Sequence, residues 1–462
     1  MRLKAPEFVI PEDGDPFAND KLDRKESALI LSELLYLAET PLVLCINAPW
    51  GDGKTTFLKM WRKHLKDNGF PTVYFSAWES DFSDDALVSL IGELDTGLAE
   101  LVKADLPAKN ALAKVKKLGS GLIKLGIPLA AKLLTGGLLD IKNGIPEFCE
   151  KFAEEQIKKY EASKNIVKEF KINLEKLVTE LGKVADNKPP LPLVIFIDEL
   201  DRCRPTYAIE VLEKVKHFFN VSNVIFVLAL DKTELGHSIK CLYGHEFGVE
   251  GYLRRFIDID YMFPESNKID FCTAQFEHFG LNNYFEKRLD ANEFSEIHTT
   301  MSDLSSLMGC SLREQEHCFS ILQLVAQVTA KHQYLYPFML GFLFVLKVKN
   351  PSLYKAFSTR KIDVASILKY MKDFPEGETF LGSKKGAFLE AFLFASITKD
   401  HDGDSLRSNY QKIYTDQTKT EKEKDRAILI HKILNSIDDK YSWNFLSHLV
   451  KKIDLMEHFK SS

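Results

Sequence analysis

The stretch from Pro41 to Leu58, PLVLCINAPWGDGKTTFL, constrains this chain more than any other. Leu42, Val43, Leu44, Cys45 and Ile46 form an unbroken apolar run, as expected of a parallel strand covered on both faces. A Gly- and Pro-rich turn follows, and Gly53-Lys54-Thr55 open a helix. That sequence of elements suits phosphate. Consecutive backbone N–H groups curl around the anion and the helix N-terminus adds positive partial charge. A lysine reaches the β and γ oxygens, and a hydroxyl holds Mg2+. On this reading Trp50, Gly51, Asp52, Gly53, Lys54, Thr55 and Thr56 hold the ligand, Lys54 also assists catalysis, and Thr55 is a metal ligand. The usual first glycine of G-x-x-x-x-G-K-[ST] is Ala48, a departure of one methyl group. Gly51 and Gly53 retain φ freedom where the backbone must curl.

A second segment, Leu191 to Pro205, reads LPLVIFIDELDRCRP. Val194, Ile195, Phe196 and Ile197 predict another buried strand, ended by Asp198-Glu199. Carboxylates at the C-terminal end of such a strand lie where α/β sheets bind ligands. Asp198 is expected to hold Mg2+ together with Thr55. Glu199 is expected to orient and deprotonate the attacking water, because phosphoryl transfer needs positioning and charge neutralisation. ATP and Mg2+ are the ligands this pairing implies.

Composition leaves room for several cores. The chain has 462 residues, 45% hydrophobic and 27% charged, as in ordinary globular proteins. A net charge of −5 gives no whole-chain argument for nucleic acid. Seven cysteines without regular spacing suit reduced thiols in the cytoplasm, and the first residues lack an apolar signal core.

Along the chain, strands and helices alternate through the first hundred residues and again after Pro190, the pattern of a parallel sheet. We therefore expect an α/β fold with a parallel-sheet core, a helical insertion and a mostly helical C-terminal region. The expected division is 1–105 and 191–265 for the core, 106–190 for the insertion, 266–350 for a helical lid and 351–462 for a C-terminal helical domain. A polar break is expected at His401-Asp402-Gly403-Asp404. The insertion begins with many lysines and few acids, and its apolar middle, Leu118 to Ile141, is interrupted by Lys124 and Lys132. Charges at the centre of a span are costly, so a transmembrane helix is not expected. Two readings stay open: a hairpin tucked against the core with its lysines in water, or peripheral contact of 106–145 with an anionic membrane or a partner. Residues 146–181 predict one long amphipathic helix.

These elements together resemble the KAP family of P-loop NTPases. Asp23-Arg24-Lys25 precedes the first strand. Trp50-Gly51-Asp52-Gly53-Lys54-Thr55 is similar to the family's W-G-x-G-K-[ST], and Phe75-Ser76-Ala77-Trp78 to its F-N-A-W. Ile197 to Cys203 is similar to I-D-D-L-D-R-C, Tyr252 to Asp258 resembles the closing element of the core, and Ser311-Leu312-Arg313-Glu314 a helix of the lid. The resemblance implies a P-loop ATPase acting as a switch, in anti-phage exclusion or membrane-linked signalling. It also implies a homo-oligomer or a partner protein. Two alternatives are kept: a scaffold that binds ATP without hydrolysing it, and a DNA-associated motor.

Further residues carry secondary expectations. Arg254 or Arg255 is a candidate arginine finger. Arg202 either pairs with Asp201 or reaches a neighbouring subunit. Asp231 is a candidate γ-phosphate sensor, Arg313 a candidate lid cation, and Trp78 is read as core packing in preference to a base-stacking platform.

Overall fold

Five short apolar runs become the strands of one parallel sheet in the computed structural model. The structure describes residues 8–83, 85–99, 101–102, 106–125, 145–183, 190–264, 268–288, 290, 292–330, 332–397, 400–440 and 445–459. In chain order the core contains α1 (Arg24–Leu37), β1 (Leu42–Asn47), α2 (Lys54–Asp67), β2 (Thr72–Ser76) and α3 (Ala86–Ala99). The insertion helices α4 (Leu106–Leu125) and α5 (Ile145–Leu181) follow. Then come β3 (Leu193–Asp198), α6 (Pro205–Phe218), β4 (Val224–Leu230), α7 (Lys232–Tyr243), α8 (Val249–Leu253) and β5 (Ile259–Met262). The sheet order is β2-β3-β4-β1-β5, and every pairing is parallel.

The period-2 alternation of strand side chains sorts the sheet into two apolar layers. Leu42, Leu44, Ile46, Val194, Phe196, Ile225, Val227 and Ala229 face α1 and α2 and meet Ala28, Leu31, Phe57, Leu58 and Trp61. Their neighbours Val43, Cys45, Ile195, Ile197, Phe226 and Leu228 point the other way, into a layer supplied by α3 to α7. The central strands β3 and β4 are buried along their whole length, whereas β5 at the sheet edge alternates between half-buried and exposed residues. Continuous apolar runs thus mark the strands covered on both faces.

The insertion joins this second layer. Ala108, Leu112 and Val115 of α4 and Phe170, Leu174, Leu177 and Val178 of α5 are part of its core, while Lys109, Lys114, Lys116 and Lys117 are exposed. Gly119 lets α4 approach α3: an added Cβ would sit 2.8 Å from the Ile91 Cδ1. These residues follow the hairpin reading. The rest of the apolar middle, 126–144, lies outside the described residues, and no described helix is long and apolar enough to cross a membrane.

The chain divides into two compact units, Val9–Glu265 and a second formed mainly by Ser266–Ser462. The second is helical, and one apolar cluster runs through it from Cys272 to Ile453. The expected break at His401 to Asp404 is instead the first turn of helix Asp400–Thr415. Within this unit Arg288 and Glu293 form a bidentate ion pair whose side chains are each 2% exposed. The Glu293 Oε1 also accepts the Leu335 N–H at 2.8 Å, and the Arg288 Nη1 donates to the Tyr284 hydroxyl at 2.9 Å. Removing one partner strands a buried charge. Glu293→Ala is therefore expected to destabilise this unit by about 3–5 kcal/mol, read as a lower denaturant midpoint.

Candidate functional site

The loop after β1 has the backbone its glycines predict. Gly51 and Gly53 sit at φ 88° and 80°, conformations costly for residues with a Cβ. Helix α2 starts at Lys54 with no side chain capping its first N–H groups and no acid in its first turn. The first N–H groups of α2 and the helix dipole give this end of the loop positive partial charge. Thr56 lies half-buried in the same turn. Ala48 is buried in the layer beneath, its N–H donating to the Leu230 carbonyl at 3.3 Å. A methyl group is accommodated there, so the missing glycine does not open the loop.

Lys54 is folded back over this loop. Its Nζ donates to the carbonyls of Ala48 at 2.5 Å and Pro49 at 3.1 Å. Burial holds its pKa below the ordinary lysine value, opposed by the nearby charges of Asp201, Asp231, Asp198 and Asp52.

Sheet register explains how Asp198, so distant in sequence, comes near. Asp198 pairs with Ala229, which pairs with Ile46, so the end of β3 lies two strands from the end of β1 on one sheet edge. Two inter-strand spacings are about 10 Å, a gap the loop and the first turn of α2 close. The Thr55 hydroxyl lies near Asp198, and the Tyr74 hydroxyl donates to the Asp198 Oδ2 at 2.8 Å. Burial raises the Asp198 pKa, and the two hydroxyls oppose that rise.

Glu199 adopts φ 62°, a left-handed conformation uncommon outside glycine. Its N–H donates to the Asp198 Oδ1 at 2.9 Å. Its carboxylate is engaged twice, by an ion pair with Arg202 and by the Ser76 hydroxyl at 3.3 Å. Tyr74 and Ser76 of β2 are thus the neighbours of the acidic pair that sequence reasoning missed. A tyrosine on a buried strand needs a partner for its hydroxyl, and that was the available signal.

Several secondary expectations change. Arg202 pairs with Glu199 and not with Asp201, because the 3-10 turn Leu200–Arg202 returns its side chain to the preceding acid. Asp201 accepts the Trp50 indole N–H at 2.5 Å and the Asp231 N–H at 2.8 Å, tying the loop to the ends of β3 and β4. Asp231 caps α7 by accepting the N–H groups of Thr233 and Glu234. Trp78 is not core packing: it is 53% exposed, with the Arg202 guanidinium 5.8 Å from its ring centroid. Arg204 anchors the outward loop through the Asp81 carboxylate at 2.8 and 2.9 Å, and so holds Trp78 and Phe82 toward solvent.

Arg254 and Arg255 are not brought to the loop. Both are exposed and precede β5, which enters the sheet beside the start of β1, where the Val43 N–H donates to Asp258 at 2.8 Å. That edge lies about 13 Å from Asn47 along the strand, and no hydrogen bond or ion pair joins either arginine to Lys54, Asp198 or Glu199. Arg313 is exposed in the second unit, where Ser311 and Glu314 form a capping box for helix Leu312–Val328. Arg24 is buried, donates to the Pro264 carbonyl and stacks 3.8 Å from the Phe263 ring centroid.

A five-stranded parallel sheet with a glycine loop and an uncapped helix at its carboxyl edge defines a P-loop NTPase core. The chain belongs to the KAP family, whose P-loop domain matches residues 24–328. The Phage T7 exclusion protein of Escherichia coli (strain K12) is 22% identical over 369 residues, covering 75% of this chain and 46% of that protein. This chain thus spans about half the length of that relative. Among solved structures, the Aeropyrum pernix ORC2 protein with ADPNP and ADP aligns at 12% identity and a TM-score of 0.34, over 98% of this chain and 97% of that one. Its ADP form aligns at 10% identity with the same TM-score and coverage.

Proposed function

We propose that this protein is an ATP-hydrolysing molecular switch. The observation that carries the reading is the convergence of Lys54, Thr55 and Asp198, with Glu199 next in sequence, at the uncapped start of α2. The backbone N–H groups of Trp50 to Thr56 would hold the phosphates, with Lys54 released from the carbonyls of Ala48 and Pro49 to meet the β and γ oxygens. The Thr55 hydroxyl and the Asp198 carboxylate supply oxygen ligands of the kind Mg2+ prefers. Mg2+ held by these residues would supply charge neutralisation for phosphoryl transfer. Glu199 would take a proton from the attacking water once freed from Arg202 and Ser76. A carboxylate held by two neighbours before substrate arrives suits a switch that waits for a signal.

Arg254 and Arg255, exposed at the far edge of the sheet, fit a finger offered to a second copy of the chain. A role in phage exclusion is supported by the likeness to the Escherichia coli protein. Membrane-linked signalling through 106–145 is the alternative setting. A scaffold that merely holds ATP would not need Glu199. Glu199→Gln is expected to lower ATP turnover by about 10²–10⁴-fold while ATP affinity changes by no more than a few-fold. Phosphate-release kinetics and calorimetric titration measure the two effects. Turnover unchanged in the variant would remove Glu199 from the mechanism, and stimulation by DNA would favour a motor.

A further inference from the structure

Two hollows lie side by side on the C-terminal unit. One, of about 630 Å³, is lined by helices Val364–Lys372 and Gly377–Gly382 together with Glu390 and Arg426. The other, of about 510 Å³, is lined by helices Lys384–Ile397 and Glu421–Lys440 together with Gly382 and Ser383. Gly382 and Arg426 border both. Lys369 and Lys372 stand over the first hollow, and Lys384, Lys422 and Lys432 over the second. All five lysines are exposed, and none has an ion-pair partner among the described residues. The lining acids are fewer: Glu378, Glu390 and Asp425. Glu390 is already engaged by Arg426 and by the Tyr410 hydroxyl at 2.5 Å. The Arg426 Nη1 is buried and has no hydrogen-bond partner. A concentration of unpaired cations in a chain of net charge −5 is a local asymmetry that wants a negative partner.

We propose that this double hollow docks an acidic, partly apolar polypeptide segment of a partner protein. The cations are divided between two hollows, whereas a single phosphate is held by converging donors. The floor supplies Leu368 and Leu381 in one hollow and Leu429 in the other, places for apolar side chains between the acids of an extended or helical segment. Lysines on flexible stems match distributed carboxylates without demanding fixed geometry. Arg426 stands at the partition, held there by Glu390.

The test is fluorescence anisotropy on the full chain with a labelled peptide of alternating Glu and Leu. A Lys/Leu peptide, inorganic tripolyphosphate and a single-stranded oligonucleotide serve as comparison probes. The acidic peptide is expected to bind with an affinity that falls as salt rises. It should bind at least about ten-fold more weakly to a variant carrying Lys369→Glu, Lys372→Glu, Lys422→Glu and Lys432→Glu. A matching lysine-to-glutamine variant should lie between the two. Surface lysines without ion pairs tolerate such exchange, and unchanged far-ultraviolet circular dichroism verifies the fold of both variants. Equal binding of the acidic peptide to all three proteins, or no binding to wild type, overturns the proposal. So does tighter binding of tripolyphosphate or the oligonucleotide, or loss of the reversed lysines' effect in a form of the protein shown by sedimentation to self-associate through this face.

Discussion

Replacing Lys54 with alanine is expected to weaken ATP binding by about 2–5 kcal/mol, roughly 30- to 4,000-fold in Kd, and to abolish measurable hydrolysis. The argument rests on charge. Lys54 is a mostly buried cation at the start of α2, facing Asp198, Asp201 and Asp231. Without it those carboxylates confront an incoming triphosphate with no positive side chain between them, and like charges in a low-dielectric crevice repel strongly. The loop also loses the two bonds from the Lys54 Nζ to its carbonyls, so its resting conformation should loosen. Calorimetry with ATP and Mg2+ measures the affinity, and circular dichroism checks that the sheet persists. An unchanged Kd would detach Lys54 from the nucleotide and with it the proposed function.

The second large effect concerns stability. Trp61 of α2 is fully buried, stacked 5.8 Å from Phe57 and edge-on at 5.4 Å to Phe196 of β3. Its indole N–H donates to the Ser32 hydroxyl at 3.0 Å, and that hydroxyl donates to the Ala28 carbonyl at 2.6 Å. One side chain therefore links α1, α2 and the sheet beneath the phosphate loop. Trp61→Ala is expected to cost about 3–5 kcal/mol, a large fraction of the roughly 5–15 kcal/mol that holds a domain folded. Trp61→Phe retains ring contacts and loses only the donor and some volume, so its cost should be clearly smaller. Denaturant midpoints of the two variants measure the difference. Equal midpoints for wild type and Trp61→Ala would mean that this layer repacks around the cavity.

Strand and loop positions were legible because their causes are local. Val194 to Ile197 is a run too apolar for any place but the middle of a sheet, and it became part of a fully buried central strand. Gly51 and Gly53 announced left-handed backbone, and they adopt it. The long helix expected over 146–181 is present as Ile145–Leu181 because an amphipathic period sustained that far has few alternatives. Trp78 was misread for a related reason. Its type argues for burial, but Arg204 pins the surrounding loop outward from a position more than a hundred residues away. Arg202 was ambiguous until a single 3-10 turn directed it to Glu199.

Sequence by itself determined the class of fold and the chemical character of the loop, since hydrophobic period, glycine placement and helix start act over a few neighbouring residues. Only the tertiary structure decided which distant groups meet: Tyr74 on Asp198, Ser76 on Glu199, Trp50 on Asp201, and Arg254 with Arg255 away from them all. Those meetings depend on strand order and register, and inserting β4 between β1 and β3 is a property of the whole sheet that no local segment encodes.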